Sequence, residues 1–79
     1  MNWEPKMNVQ EAVRLTKLRA MLSDGSVVRI RERAGLSRGE VACTVGVRTN
    51  TITSWETQTK RPKTRKALEY LSLIEGLGA

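Results

Sequence analysis

Arg48, Thr49, Asn50, Thr53 and Ser54 fall within one short stretch of the chain and carry the donors and acceptors that can read the edge of a base pair. The Asn50 carboxamide can bond adenine through N6 and N7, and the Arg48 guanidinium can reach guanine O6 and N7 or a phosphate. The threonines offer a hydroxyl, or a methyl against thymine. These five are the expected base-contacting residues; the plain alternative is an ordinary solvated helix face. Bond-making chemistry is not expected. The chain has no histidine, a single cysteine and no Gly-rich phosphate loop, and its Ser and Thr hydroxyls have no evident base to activate them. No catalytic residue, metal ligand or cofactor is therefore assigned, and Cys43 is read as a small, partly buried helix residue.

Two short helical patterns hinged at Gly46 must position those side chains. Ser37 with Glu40 three residues later forms a capping box that starts the first. Val41, Ala42 and Val45 share one face of it, and Gly46 can take the left-handed conformation that ends it. In the second, over residues 48–57, Thr51, Ile52 and Trp55 continue from Val47 at three- and four-residue intervals, so the polar residues between them face outward. Helix, glycine turn and second helix is the unit whose second member enters the major groove.

Arg31, Gly35, Leu36, Ser37, Glu40, Ala42, Val45, Gly46, Val47, Ile52, Trp55, Glu56, Arg61 and Pro62 together resemble the lambda-repressor-like helix-turn-helix domains of the Cro and phage-repressor type, the xenobiotic-response-element family. The resemblance runs from about Val27 to Leu77. Two positions depart from the family: Arg38 stands where Gln is usual and Arg48 where Ser or Thr is usual, so Thr49 competes with Arg48 for the N-cap. The resemblance implies that Thr49, Asn50, Thr53 and Ser54 face the groove, that Trp55 packs inside, and that Arg31 and Glu56 pair as a structural ion pair. It also implies that Lys60, Arg61 and Lys63, in the loop after the recognition helix, grip the phosphate backbone. Arg38 joins them as a phosphate contact, because a helix N-terminus attracts anions. One module covers few base pairs, so a homodimer on a double-stranded operator is implied; Leu73, Ile74 and Leu77, or the N-terminal helix, could supply its surface.

The rest of the chain fits one small all-α domain of five helices. At 79 residues with a net charge of +6, it has a modest core, no room for a second sensing domain, and a preference for a polyanionic partner. The excess charge lies at the ends, about +3 after Gln58 and about +2 before Ser23. Residues 1–22 form a tail and an additional amphipathic helix from about Val9 to Leu22, with Val9, Ala12, Val13, Leu15, Leu18, Met21 and Leu22 as a broad apolar stripe. Trp3, ahead of Pro5, is available to a partner. Residues 23–79 form the DNA-binding domain. Its first helix, about Ser26 to Ala34, turns Val27, Val28, Ile30 and Ala34 inward, and its last, about Lys63 to Glu75, buries Ala67, Leu68, Leu71 and Ile74. No apolar run approaches a membrane span and no secretory leader is legible, so the expected setting is the bacterial or infected-host cytoplasm, with neither membrane nor small-molecule ligand as partner. The expected function is a phage or prokaryotic repressor. An antitoxin or excision-control protein is the alternative, and a protein-interaction module with the same fold that reads no bases is the alternative of another class.

Overall fold

Capping boxes set the starts of two helices. Asn8 accepts the Glu11 amide at 2.7 Å while the Glu11 carboxylate accepts the Asn8 amide at 3.0 Å. Ser37 and Glu40 exchange the same pair of bonds at 3.0 and 2.8 Å. The computed structural model describes residues 7–78, and within it the helices are α1 (Val9–Ser23), α2 (Ser26–Arg33), α3 (Arg38–Val45), α4 (Thr49–Glu56) and α5 (Arg65–Leu77). No strand occurs among the described residues. Trp3 and Pro5 lie outside them.

Gly46 ends α3 at φ 87°, and the N–H groups of both Gly46 and Val47 donate to the Ala42 carbonyl at 2.8 and 3.0 Å. Those two hydrogen bonds at the helix end reverse the chain in few residues. A β-carbon on Gly46 would be strained by its backbone and would meet Lys66 Nζ at 3.1 Å.

One apolar core joins all five helices. Leu15, Leu18 and Leu22 of α1, Val27 of α2, Val41, Ala42 and Val45 of α3, Ile52 and Trp55 of α4, and Ala67, Tyr70, Leu71 and Ile74 of α5 are all buried. Trp55 stacks on Tyr70 with ring centroids 5.7 Å apart and planes 23° from parallel, an offset arrangement that adds to area burial. Pairs α3 with α4 and α1 with α5 make the main contacts. The second is clipped by Glu75, which accepts from Arg14 at 2.9 Å and from Lys17 at 2.9 Å. Thus α1 shares the core of the helices that follow it.

Several sequence expectations need correcting. Val9 and Val13 are 80% and 63% exposed: at 100° per residue they lie across α1 from Leu15, Leu18 and Leu22, so the apolar stripe is narrower than expected, and Ala12 is exposed as well. Cys43 is exposed for the same reason, since it sits opposite the Val41, Ala42 and Val45 face. Ala34 is the exposed C-cap of α2 instead of an inward residue. Leu68 is only half-buried and Tyr70 takes its place inside. Helix α5 begins at Arg65, not Lys63, with Thr64 as N-cap; Pro62 is buried in the preceding loop, and Arg19 holds its carbonyl at 2.8 and 3.1 Å.

Candidate nucleic-acid interface

Helix α4 has two unlike faces. Ile52, Trp55 and Glu56 are buried, whereas Arg48, Thr49 and Asn50 are exposed and Thr53 and Ser54 half-buried. Asn50 and Ser54 lie across the helix from Ile52 and Glu56, as a 3.6-residue repeat requires. Arg48 is the N-cap, with extended φ and ψ of −78° and 150°, and no side chain caps the first turn. Thr49 is the first helical residue and so does not serve as the cap. The first-turn N–H groups of α4 therefore lack a side-chain acceptor, and with the helix dipole they favour an external anion or a carbonyl edge.

The first turn of α3 adjoins that of α4. A β-carbon placed on Gly39 would lie 3.8 Å from the Thr49 hydroxyl, so the two helix starts and their exposed polar groups form one surface. Past the far end of α4, Gln58 adopts φ 61°, and the amides of Thr59 and Lys60 both donate to the Ser54 carbonyl at 2.9 and 3.2 Å. These bonds fold the loop back on the helix. Lys60, Arg61 and Lys63 are exposed along it.

Beneath this surface lies a buried carboxylate with two hydrogen bonds on each oxygen. Arg31 donates Nε to Glu56 Oε2 at 2.7 Å and Nη2 to Oε1 at 2.9 Å, Arg38 donates Nε to Oε1 at 2.9 Å, and the Tyr70 hydroxyl donates to Oε2. Arg31 also donates Nη1 to the Leu36 carbonyl at 2.9 Å, which locks the α2–α3 turn onto α4. Burial pushes the Glu56 carboxyl up, but the bonds from Arg31, Tyr70 and Arg38 outweigh it and the net direction is down. Burial and then the Glu56 bond push the Tyr70 hydroxyl up, so it remains a proton donor. Glu56 is ionised and fully satisfied, the condition under which a buried charge is tolerated.

The structure thus brings Arg31 and Glu56 together, leaves Arg48, Thr49 and Asn50 exposed at the start of α4, and sets Lys60, Arg61 and Lys63 on the neighbouring loop. Arg38 is placed differently from a free phosphate contact: its Nε is engaged by Glu56, and its side chain is 39% exposed. Sequence reasoning missed two residues. Tyr70 falls on the Ala67, Leu71 and Ile74 face at helical spacing, a signal that would have found it; Arg19 carries no such signal, because its partner is a backbone carbonyl 43 residues away.

Among the described residues, no group of three or more His, Cys, Asp or Glu is placed to hold a metal ion, and no helix is long and apolar enough to cross a membrane. Compared with known proteins, the chain matches no family model, no curated protein and no solved structure.

Proposed function

We propose that this protein is a sequence-specific double-stranded DNA-binding regulator of the lambda-repressor-like helix-turn-helix kind, reading the major groove with α4. The observation that carries the reading is the pairing of an uncapped α4 start, bearing exposed Arg48, Thr49 and Asn50, with the adjoining start of α3. A helix held from behind by Ile52, Trp55 and Glu56 presents Thr49 and Asn50, with Thr53 and Ser54 one turn on, as a rigid row, which is what direct readout needs. In this reading Thr53 and Ser54 extend the base-contacting row, Lys60, Arg61 and Lys63 bind phosphates and fix register, and Arg38 reaches a phosphate with the N–H groups that Glu56 leaves unused.

The protein would act as a homodimer on two half-sites about one helical turn apart, in the cytoplasm of a bacterium or an infected host, repressing by excluding polymerase and doing no chemistry itself. The net charge of +6 supports a polyanionic partner. The same contacts would serve an antitoxin or an excision-control protein, the alternative within this DNA-binding class.

Selection from a random duplex library at near-physiological salt tests this. A palindromic winner preferred over scrambled duplex by about a thousandfold or more supports a dimeric sequence reader. Equal, salt-sensitive binding to both would replace the reading with that of a protein-interaction module on the same fold.

A further inference from the structure

Arg19 lies on α1, the helix outside the resemblance, yet it reaches the loop after α4. Its Nε and Nη2 both donate to the Pro62 carbonyl, at 3.1 and 2.8 Å. Between α1 and this loop opens a cleft of about 530 Å³ whose lining includes Arg19, Lys60 and Arg61, the hydroxyl residues Thr16 and Ser23, and the Gln58 carboxamide, with part of Trp55. No carboxylate lines the cleft. None of its three cations is in an ion pair among the described residues, as is also true of Arg29, Arg33, Arg48 and Lys63; what sets these three apart is that they line one cleft together.

This is an unbalanced arrangement. Arg19 is half-buried, and burial, followed by the charge of Arg61, pushes its guanidinium below the usual value. Holding like charges near one another in a partly desolvated cleft is unfavourable unless an anion sits between them. The Pro62 carbonyl orients Arg19 but supplies only a partial negative charge. A tetrahedral oxyanion suits the remaining donors, because guanidinium and ammonium groups bond phosphate oxygens with short, charge-assisted contacts. The Ser23 hydroxyl lining the cleft is of the right type to add a neutral bond to it, whereas the Thr16 hydroxyl donates to the Ala12 carbonyl at 3.0 Å.

We propose that this cleft seats a phosphate group held by Arg19, Arg61 and Lys60, making α1 part of the anion-binding surface. The phosphate is either one of a duplex backbone or that of a free phosphate ester. The first source rests on the DNA-binding reading above and the second does not.

The test uses the full chain and inorganic phosphate at constant ionic strength, followed by the indole N–H of Trp55 and the amides of Lys60 and Arg61 in nitrogen–proton correlation spectra. A single saturable shift at these positions, absent with chloride, is expected. Arg61→Gln, which removes an exposed side chain and leaves the Arg19–Pro62 clip in place, should weaken it about tenfold, the loss of one charge-assisted bond. Arg61→Lys should restore most of the affinity. Equal shifts with chloride, or an unchanged isotherm in Arg61→Gln, would overturn the seat. Adding the selected duplex to the phosphate-loaded protein then assigns the source: displacement of phosphate identifies the DNA backbone, and simultaneous binding identifies a free phosphate ester. Tight duplex selection with no phosphate response removes the cleft and leaves the DNA reading; phosphate binding with no duplex preference does the reverse.

Discussion

Arg38, the first residue of α3, donates Nε to Glu56, the last residue of α4, at 2.9 Å. Each is disfavoured by its own helix, since a cation sits at a positive N-terminal end and an anion at a negative C-terminal end. Pairing them offsets both. The bond also ties the exposed start of α3 to the same carboxylate that Arg31 and Tyr70 hold from inside, so the surface carrying Thr49 and Asn50 rests on a fixed frame.

Glu56 makes stability depend on acid. Its carboxyl lies below the usual value in the folded protein, so its contribution is fully present above the unfolded value of about 4.3 and is lost as pH falls through the lower folded value. Thermal melting from pH 7 to 2 should show stability falling in that window. Glu56→Gln should flatten this segment and cost about 3–5 kcal/mol at pH 7, because the Arg31 charge is left buried without its partner. A wild-type acid profile matching that of Glu56→Gln would contradict the assignment.

Tyr70→Phe removes one donor from Glu56 and keeps the ring against Trp55. The expected cost is about 1–3 kcal/mol in denaturant unfolding, the range for a buried acceptor that loses its bond, with an unchanged slope against denaturant. A stability equal to wild type would mean that the hydroxyl is dispensable to the carboxylate.

Trp55 is 5% exposed and stacked on Tyr70. Trp55→Ala should cost about 3–5 kcal/mol, a large share of a small domain's stability. The variant is expected to lose its helical circular-dichroism signal near ambient temperature; normal melting would place Trp55 outside the core.

Lys60 is exposed on the loop after α4. If it contacts phosphate, Lys60→Gln should reduce the slope of log affinity against log salt by about 0.9 and weaken selected and scrambled duplex alike. Preferential loss on the selected duplex would give Lys60 a base-reading part instead.

The elements were legible where local chemistry dictates them. Ser37 with Glu40 and the glycine at 46 mark both ends of α3, and the inward residues Ile52 and Trp55 follow from their spacing. The start of α5 was not legible, because a contact from α1 to the Pro62 carbonyl keeps the loop extended past the proline. Nor was the engagement of Arg38. Its position at a helix start favours an external anion, and only the packing of α3 on α4 brings an internal one within reach. Val9 and Val13 show the limit of composition: they are apolar, but their angular position on α1 leaves them in water.

If the exposed start of α4 reads bases, Asn50→Ala must weaken specific binding alone. Asn50 is exposed, opposite the buried face, so the variant should melt like wild type. Affinities are measured on the selected duplex and on its scrambled counterpart at one salt concentration. A loss of about 1–3 kcal/mol on the selected duplex, roughly five- to 150-fold, is expected, with scrambled binding unchanged. An equal loss on both duplexes, or none on either, would mean that Asn50 reads no base and that α4 is not the reading helix.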